Sequence, residues 1–243
     1  MGKCNEVDEC ITSLVMRTKE QIDRIQSTHG NPISIKNIVD VEPLKNYYKD
    51  NSNKIIQKNT GPKILEVDPN ELLFSNLIYN IKRSVGEFEV RYIHYFDVTH
   101  PHIIHNDDTF EYPNCYKAFT IPLEIYGDSD DIKLVVYDQY YYGGPAKFFN
   151  GETKKDGQVY YNTPITDYND VYGVNENGIP ENIKNNYLTH LKDNWLKGLS
   201  INAMLDWKIG DVLCFDSLAL HSSSDFINKN VSRKIGISIF TTL

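Results

Sequence analysis

The chain has no apolar run long enough to cross a bilayer as a helix. Its first residues, MGKCNEVDEC, lack the apolar stretch of a secretory leader, so no export signal is expected. Met-Gly at the start also fails as a myristoylation site, because Glu6 stands where Ser or Thr is wanted. There is no Cys-x-x-Cys or Cys-x-x-His pair, which argues against a structural zinc site. The four cysteines (Cys4, Cys10, Cys115 and Cys214) are scattered, and the last two adjoin apolar runs where cysteine behaves as a small hydrophobe. A reducing, cytoplasmic setting is therefore expected. Basic runs are missing as well. With 33 acidic against 25 basic residues the net charge is −8, so neither nucleic acid nor an anionic membrane surface is an expected partner.

What is present is a helical beginning and a β-rich remainder. Apolar residues Ile11, Leu14, Val15, Ile22 and Ile25 recur at helical spacing within residues 8–28. Residues 29–63, broken by Pro32, Pro43, Gly61 and Pro62, read as mostly loop with a short helix near 43–50. Asp68 as N-cap, Pro69 at the first position, Glu71 three after the cap and Gly86 beyond the end mark a further helix. From residue 87 the pattern changes. EFEVRYIHYFDV, YKAFTIPLEIY, IKLVVYDQYYY, GDVLCFDS and RKIGISIFTTL are alternating, β-branched and aromatic, hence strands. A polar insert begins near residue 145, and a helix is expected at 182–197 with Leu188, Leu191 and Trp195 on one face and Gly198 closing it. The expectation is one domain of 243 residues: helices over 1–86 bracing a β-sandwich or barrel over 87–243. The insert, about 145–198, is a candidate lid.

Four of the seven histidines fall between His94 and His105, and HIIHNDD ends in two aspartates. In an extended segment residues i and i+2 share a face, so His105 and Asp107 converge from one short stretch. They supply two legs of the 2-His-1-carboxylate triad of non-haem iron sites. His221, after a Gly-Asp turn and an apolar strand, offers the third, since the other downstream histidine, His190, falls in an expected helix. Arg233 opens the last strand, where an inward guanidinium needs an anion, and a carboxylate fits its fork. Blander readings exist for each. His105 and Asp107 could cap a loop, and Arg233 could pair with Asp216 or Asp225. His102 is a rival ligand three residues before His105, His100 is a solvent-facing or structural residue, His94 a satisfied polar neighbour and Asp108 a turn residue. Tyr140, Tyr141 and Tyr142 either pack on the sandwich or line the mouth of the site.

HND, the distal His221 and Arg233, together with GDVLCFDSLALHSSSDF and RKIGISIFTT, resemble the Fe(II)/2-oxoglutarate-dependent oxygenase superfamily, most of all its phytanoyl-CoA dioxygenase-like branch with uncharacterised microbial and phage relatives. The resemblance covers roughly residues 87–243. It implies a double-stranded β-helix, or jelly roll, of cupin-like form. It also implies Fe(II) on His105, Asp107 and His221, 2-oxoglutarate with its C5 carboxylate on Arg233, and O2 as co-reactant. The implied activity is hydroxylation of a small organic molecule, with decarboxylation of 2-oxoglutarate to succinate and CO2. The family often follows its arginine with x-Ser, whereas Lys234 and Ile235 stand here and alternation puts Ser238 on the face opposite Arg233. The missing hydroxyl would then come from Tyr116 or Thr120. Asp107 argues against a halogenase, and Ile239 stands where a nucleic-acid demethylase carries a second arginine. The alternative is a non-catalytic cupin-like protein that keeps the fold and binds a metal or ligand. In a purely structural jelly roll, His105, Asp107 and His221 would have no reason to converge.

Overall fold

Helical and extended segments follow one another along the computed structural model, which describes residues 17–57, 61–108, 114–149, 154–155, 158–161 and 171–243. The N-terminal part gives α1 (Lys19–Gln26), β1 (Ile33–Ile35), α2 (Val41–Asp50), β2 (Ile56–Gln57), β3 (Lys63–Glu66) and α3 (Leu72–Val85). Three long strands follow: β4 (Glu89–Val98), β5 (Cys115–Gly127) and β6 (Lys133–Tyr141). The insert holds β7 (Ala146–Phe148), β8 (Lys154–Lys155), β9 (Gln158–Tyr161), β10 (Val171–Tyr172), α4 (Glu181–Tyr187) and α5 (Asp193–Leu196). The chain closes with β11 (Ile201–Asp206), β12 (Val212–Asp216), β13 (Ala219–Ser223) and β14 (Val231–Thr242). Among the described residues no helix is long and apolar enough to cross a membrane.

Strand pairing defines two sheets. The first has the order β1-β12-β5-β14-β4-β3-β2. In the second, β6 carries β10 and β11 on one edge and β13 on the other. β13 then meets the segment at His105, which in turn meets Lys147 of β7. Read in chain order, β4 lies in the first sheet, the His105 segment in the second, β5 in the first, β6 and β11 in the second, β12 in the first, β13 in the second and β14 in the first. That alternation is a double-stranded β-helix: the fold is mainly β with flanking helices around a jelly-roll core.

Alternation along β14 sorts its two faces. Ile235, Ile237 and Ile239 join Leu44, Phe74 and Ile81 of α2 and α3 in one buried cluster on the outer face of the first sheet. Burying side chains such as Phe74 and Ile81 completely contributes about 2–3 kcal/mol each. Phe240 packs inward with Phe96, Val136, Trp207 and Phe215 between the sheets. Gly236 shares that inner face: a Cβ there would lie 2.7 Å from the Phe96 ring and 2.9 Å from the Ile121 carbonyl oxygen, so only glycine fits. The outer face of the second sheet is covered by the insert, whose Leu188, Leu191 and Trp195 pack with Val135, Tyr137 and Leu220.

Several expectations change in the structure. Three short strands replace parts of the loop expected over 29–63, because β1 and β3 can hydrogen-bond onto the edge of a sheet that their own sequence does not reveal. The helix expected at 182–197 is two pieces, broken at Leu188–Lys192, which leaves His190 outside any helix. α3 begins at Leu72 rather than Pro69, since Asp68 caps a turn by accepting from the Asn70 backbone and side chain. β11 lies in a stretch with no strong alternation. Of the first expected helix, α1 is present with a Thr18–Gln21 capping box, whereas Ile11, Leu14 and Val15 lie outside the described residues.

Candidate metal centre

His105 and His221 are held by their own backbones. His105 N–H donates to the His221 carbonyl at 3.0 Å and His221 N–H to the His105 carbonyl at 2.8 Å. Such a reciprocal antiparallel pair puts both side chains on one face. Asp107 joins that face when its N–H donates to the Ser217 carbonyl at 2.8 Å. Asn106, between them, points away and staples the segment. Its amide donates to the carbonyls of Tyr141 and Gly144, and its oxygen accepts the Ala146 N–H. Asp108 is no turn residue. It is buried and takes both guanidinium nitrogens of Arg17 at 2.6 Å, fixing the loop from its other side.

The tautomer of each ring follows from the hydrogen bonds. His105 Nδ1 lies 2.8 Å from the Ile103 carbonyl and His221 Nδ1 lies 3.0 Å from the Ala219 carbonyl. A carbonyl only accepts, so in both rings Nδ1 carries a proton, and in the neutral imidazole Nε2 is then the lone pair. Those lone pairs face Asp107, at 3.6 Å from its Oδ1 and 3.4 Å from its Oδ2. Three acceptors thus point at one another, with candidate ligand atoms all within 4.8 Å. Burial compounds the conflict. It pushes the Asp107 carboxyl up, and it pushes His105 well down, with His102 and His221 adding to the effect. A cation among the three relieves all of it, and two imidazoles with one carboxylate suit a non-haem iron or similar divalent ion. The second bond on each ring also fixes its orientation for that task.

The His102 ring lies 4.0 Å from the His105 ring, tilted by 49°, and lines the same cavity, but it is not among the three converging groups. His94 is not a satisfied neighbour: its buried Nδ1 has no hydrogen-bond partner among the described residues, and burial holds it down to about 4. Tyr140, Tyr141 and Tyr142 do not line the cavity. Tyr140 donates to Asp216 and stacks on His29, Tyr142 lies parallel to both rings, and Tyr141 joins the cluster under the insert. Nor do α4 and α5 form a lid, since they pack on the outer face of the second sheet.

Arg233 is the principal correction. It shares the outward face of β14 with Ile235 and grips Asp97 through Nε at 2.7 Å and Nη2 at 2.8 Å, neither of the partners expected of it. Tyr48 of α2 donates to the same carboxylate at 3.1 Å. This is a brace between sheet and helix, remote from the metal cavity. Asp97→Ala is expected to cost about 2–4 kcal/mol, because it strands a guanidinium and a buried hydroxyl, while metal binding stays unchanged. A melting curve beside a metal titration checks both.

The inward cation is its neighbour, Lys234. Its side chain is 2% exposed, its Nζ donates to Ser223 Oγ at 3.0 Å and it lies 3.9 Å from the Trp207 ring centroid. No carboxylate of the described residues pairs with it, and burial pushes it down to about 7. Of the two hydroxyl candidates, Thr120 lines the cavity in register with Ser238, which itself pairs with His94. Tyr116 does not, packing instead against the cluster on the outer face.

The triad, Lys234, Thr120 and Ser238 border one cavity of about 480 Å³ between the sheets. That volume suits a small molecule and its co-reactant. Among the described residues lining it, Asp107 is the only carboxylate.

No protein-family model matches the chain, and no curated protein is significantly similar to it in sequence. Solved structures give a distant likeness. SnoN, a non-haem alpha-ketoglutarate-dependent epimerase from nogalamycin biosynthesis, is 8% identical over 93% of this chain and 84% of its own, with a TM-score of 0.48. A prolyl-4-hydroxylase of Pseudomonas putida is 10% identical over 92% of this chain and 97% of its own, at 0.45. The viral collagen prolyl hydroxylase of Paramecium bursaria Chlorella virus-1, in a 2-oxoglutarate complex, is 9% identical over 88% and 97%, also at 0.45. Likeness at that level carries no residue role from these proteins to this chain.

Proposed function

We propose that the protein is an Fe(II)- and 2-oxoglutarate-dependent dioxygenase that hydroxylates a small organic substrate. The observation that carries the reading is the convergence of the His105 and His221 Nε2 atoms on the Asp107 carboxylate, at 3.6 and 3.4 Å, a ligand set that a divalent cation satisfies. His105, Asp107 and His221 would hold the ion on one wall, leaving its cavity side open. When bound, iron with O2 and a 2-oxo acid supplies the oxidising power, the co-reactant leaving as succinate and CO2.

The chain's own contribution lies in binding, orientation and dryness. Ser223 stands two residues beyond His221 on β13, about 7 Å along the strand, and it carries the Lys234 ammonium. Lys234 rather than Arg233 would receive the far carboxylate of a five-carbon diacid whose other end reaches the metal. Trp207 and Phe226, under the same ammonium, keep water from that pair. Thr120, Ser238 and the free Nδ1 of His94 offer further hydrogen bonds across the first sheet. Assignment to the phytanoyl-CoA dioxygenase-like branch rests on HND and His221 with GDVLCFDSLALHSSSDF and RKIGISIFTT around them, without Arg233 as the cosubstrate's anchor. Among the described residues Cys115 and Cys214 are buried and in no disulfide, which supports the reducing cytoplasm proposed for the protein.

Turnover tests the reading. With Fe(II), O2 and 2-oxoglutarate the protein should release succinate, and Asp107→Ala should reduce that release to background. Metal binding without 2-oxoglutarate turnover would make the chain a metal-binding jelly roll instead.

A further inference from the structure

Lys147 of β7 is a second cation in the cavity that the reading above does not use. It forms an isolated antiparallel bridge with His105, flanked by Phe148 N–H to the Ile104 carbonyl at 2.8 Å and Asn106 N–H to the Ala146 carbonyl at 3.2 Å. In such a non-hydrogen-bonded pair the two Cα atoms sit roughly 4.5 Å apart and the side chains lie together on one face. Lys147 therefore flanks His105 on the side opposite His221. Lys147 lines the same cavity as His102 and His105. Among the described residues it has neither an ion pair nor a hydrogen bond, though it is only partly exposed.

Two further observations define what it faces. Phe149, two residues on and so on the same face, lines the cavity with half its surface exposed, its ring edge-on to Tyr160. The charges in the cavity also leave Lys147 over. Asp107 and a doubly charged cosubstrate would offset a divalent ion and Lys234, and no other carboxylate among the described residues lines the space.

We infer that Lys147 and Phe149 form the substrate's recognition site, and that the substrate is an organic anion whose carboxylate or phosphate meets Lys147 while its apolar body lies on Phe149. The inference rests on the oxygenase reading for the charge balance and for what happens next to the bound molecule, whereas the contact of an anion with Lys147 is tested without it. Anion and oxidised carbon would lie close together, because Lys147 neighbours a metal ligand. An ammonium–anion contact at a partly buried site favours the anion over a neutral isostere by roughly tenfold or more.

The test is run on the full chain without metal or cosubstrate, in a Lys234→Met background that removes the other cavity cation. Benzoate, phenyl phosphate and benzamide are titrated by calorimetry, with and without Lys147→Met. The expected result is at least about tenfold tighter binding of one anion than of benzamide, abolished by Lys147→Met and kept by Lys147→Arg. Whichever of benzoate and phenyl phosphate binds more tightly names the anionic group. Equal binding of all three probes, no binding of either anion, or a preference that survives Lys147→Met would each overturn the inference. Failure of the oxygenase reading shows elsewhere, as absent metal-dependent binding of 2-oxoglutarate to the unaltered protein.

Discussion

Lys234→Met is expected to weaken 2-oxoglutarate binding by roughly 100-fold or more and at the same time to raise the melting temperature of the ligand-free protein. Both effects come from one buried amine. Its ordinary value of 10.5 falls to about 7 in the fold, a difference worth about 5 kcal/mol. The unfolded chain keeps its proton up to the ordinary value, whereas the folded protein gives it up near neutrality. Stability contributed by this group is therefore lowest below pH 7 and rises as pH climbs toward 10.5. Methionine removes the penalty. Against that stand the lost bond to Ser223, about 1 kcal/mol, and the lost contact with Trp207, about 1–2 kcal/mol. The penalty outweighs them, so the gain should be about 2–3 kcal/mol, or several degrees in a chain of this size, largest near pH 6–7 and fading at pH 9. Melting curves at the two pH values check the sign. Binding carries a matching signature: above pH 7 the diacid meets a neutral amine, so about one proton is taken up per molecule bound and affinity falls as pH rises. Calorimetry in buffers of different ionisation enthalpy measures that proton.

The same lysine shows how far the sequence could be read. The long strands β4, β5, β6, β12 and β14 and the spacing from His105-x-Asp107 to His221 were legible, because alternation and β-branched composition report a local preference for extended chain. The register of β14 was legible in part. Alternation placed Ser238 opposite Arg233, and the same parity puts Lys234 beside Ser238, on the face with Gly236 and Phe240. The signal was present, but a guanidinium suits a carboxylate so well that the adjacent ammonium was passed over. Asp97 as the true partner of Arg233 could not be read, since it depends on β4 and β14 pairing across more than a hundred residues. Lys147 was hidden for a similar reason. Its place beside His105 comes from one backbone bridge, which no periodicity announces. Asn106 and Arg17 hold the His105–Asp107 loop through contacts that are also long-range in sequence.

Asp107→Ala should abolish the stabilisation that a divalent metal gives. For the unaltered protein, free metal at a thousand times its dissociation constant adds about 4 kcal/mol, seen as a rise in melting temperature that Co(II) or Ni(II) can report without O2 chemistry. The variant should show no such rise, yet melt higher than the unaltered protein when both are metal-free. Burial raises the Asp107 carboxyl above its usual range. The metal-free fold accordingly loses stability as pH rises from the ordinary carboxyl value through the raised one, a loss that the alanine variant escapes. Metal affinity runs the opposite way and weakens as pH falls, because protons compete for the carboxylate and both Nε2 atoms. A metal-induced rise that persists in Asp107→Ala would place the ion elsewhere.

The most direct measurement is an anaerobic titration of the apo-protein with Fe(II) and then 2-oxoglutarate, following the weak visible charge-transfer absorption of a 2-oxo acid bound to iron. The band should form in the unaltered protein, fail in His105→Ala and need far more 2-oxoglutarate in Lys234→Met. Arg233→Met should form it at the unaltered concentration. A band that weakens in Arg233→Met and not in Lys234→Met would return the cosubstrate to the outer face of β14, against the geometry described here. A band that survives His105→Ala, or never forms at all, would contradict the metal centre itself.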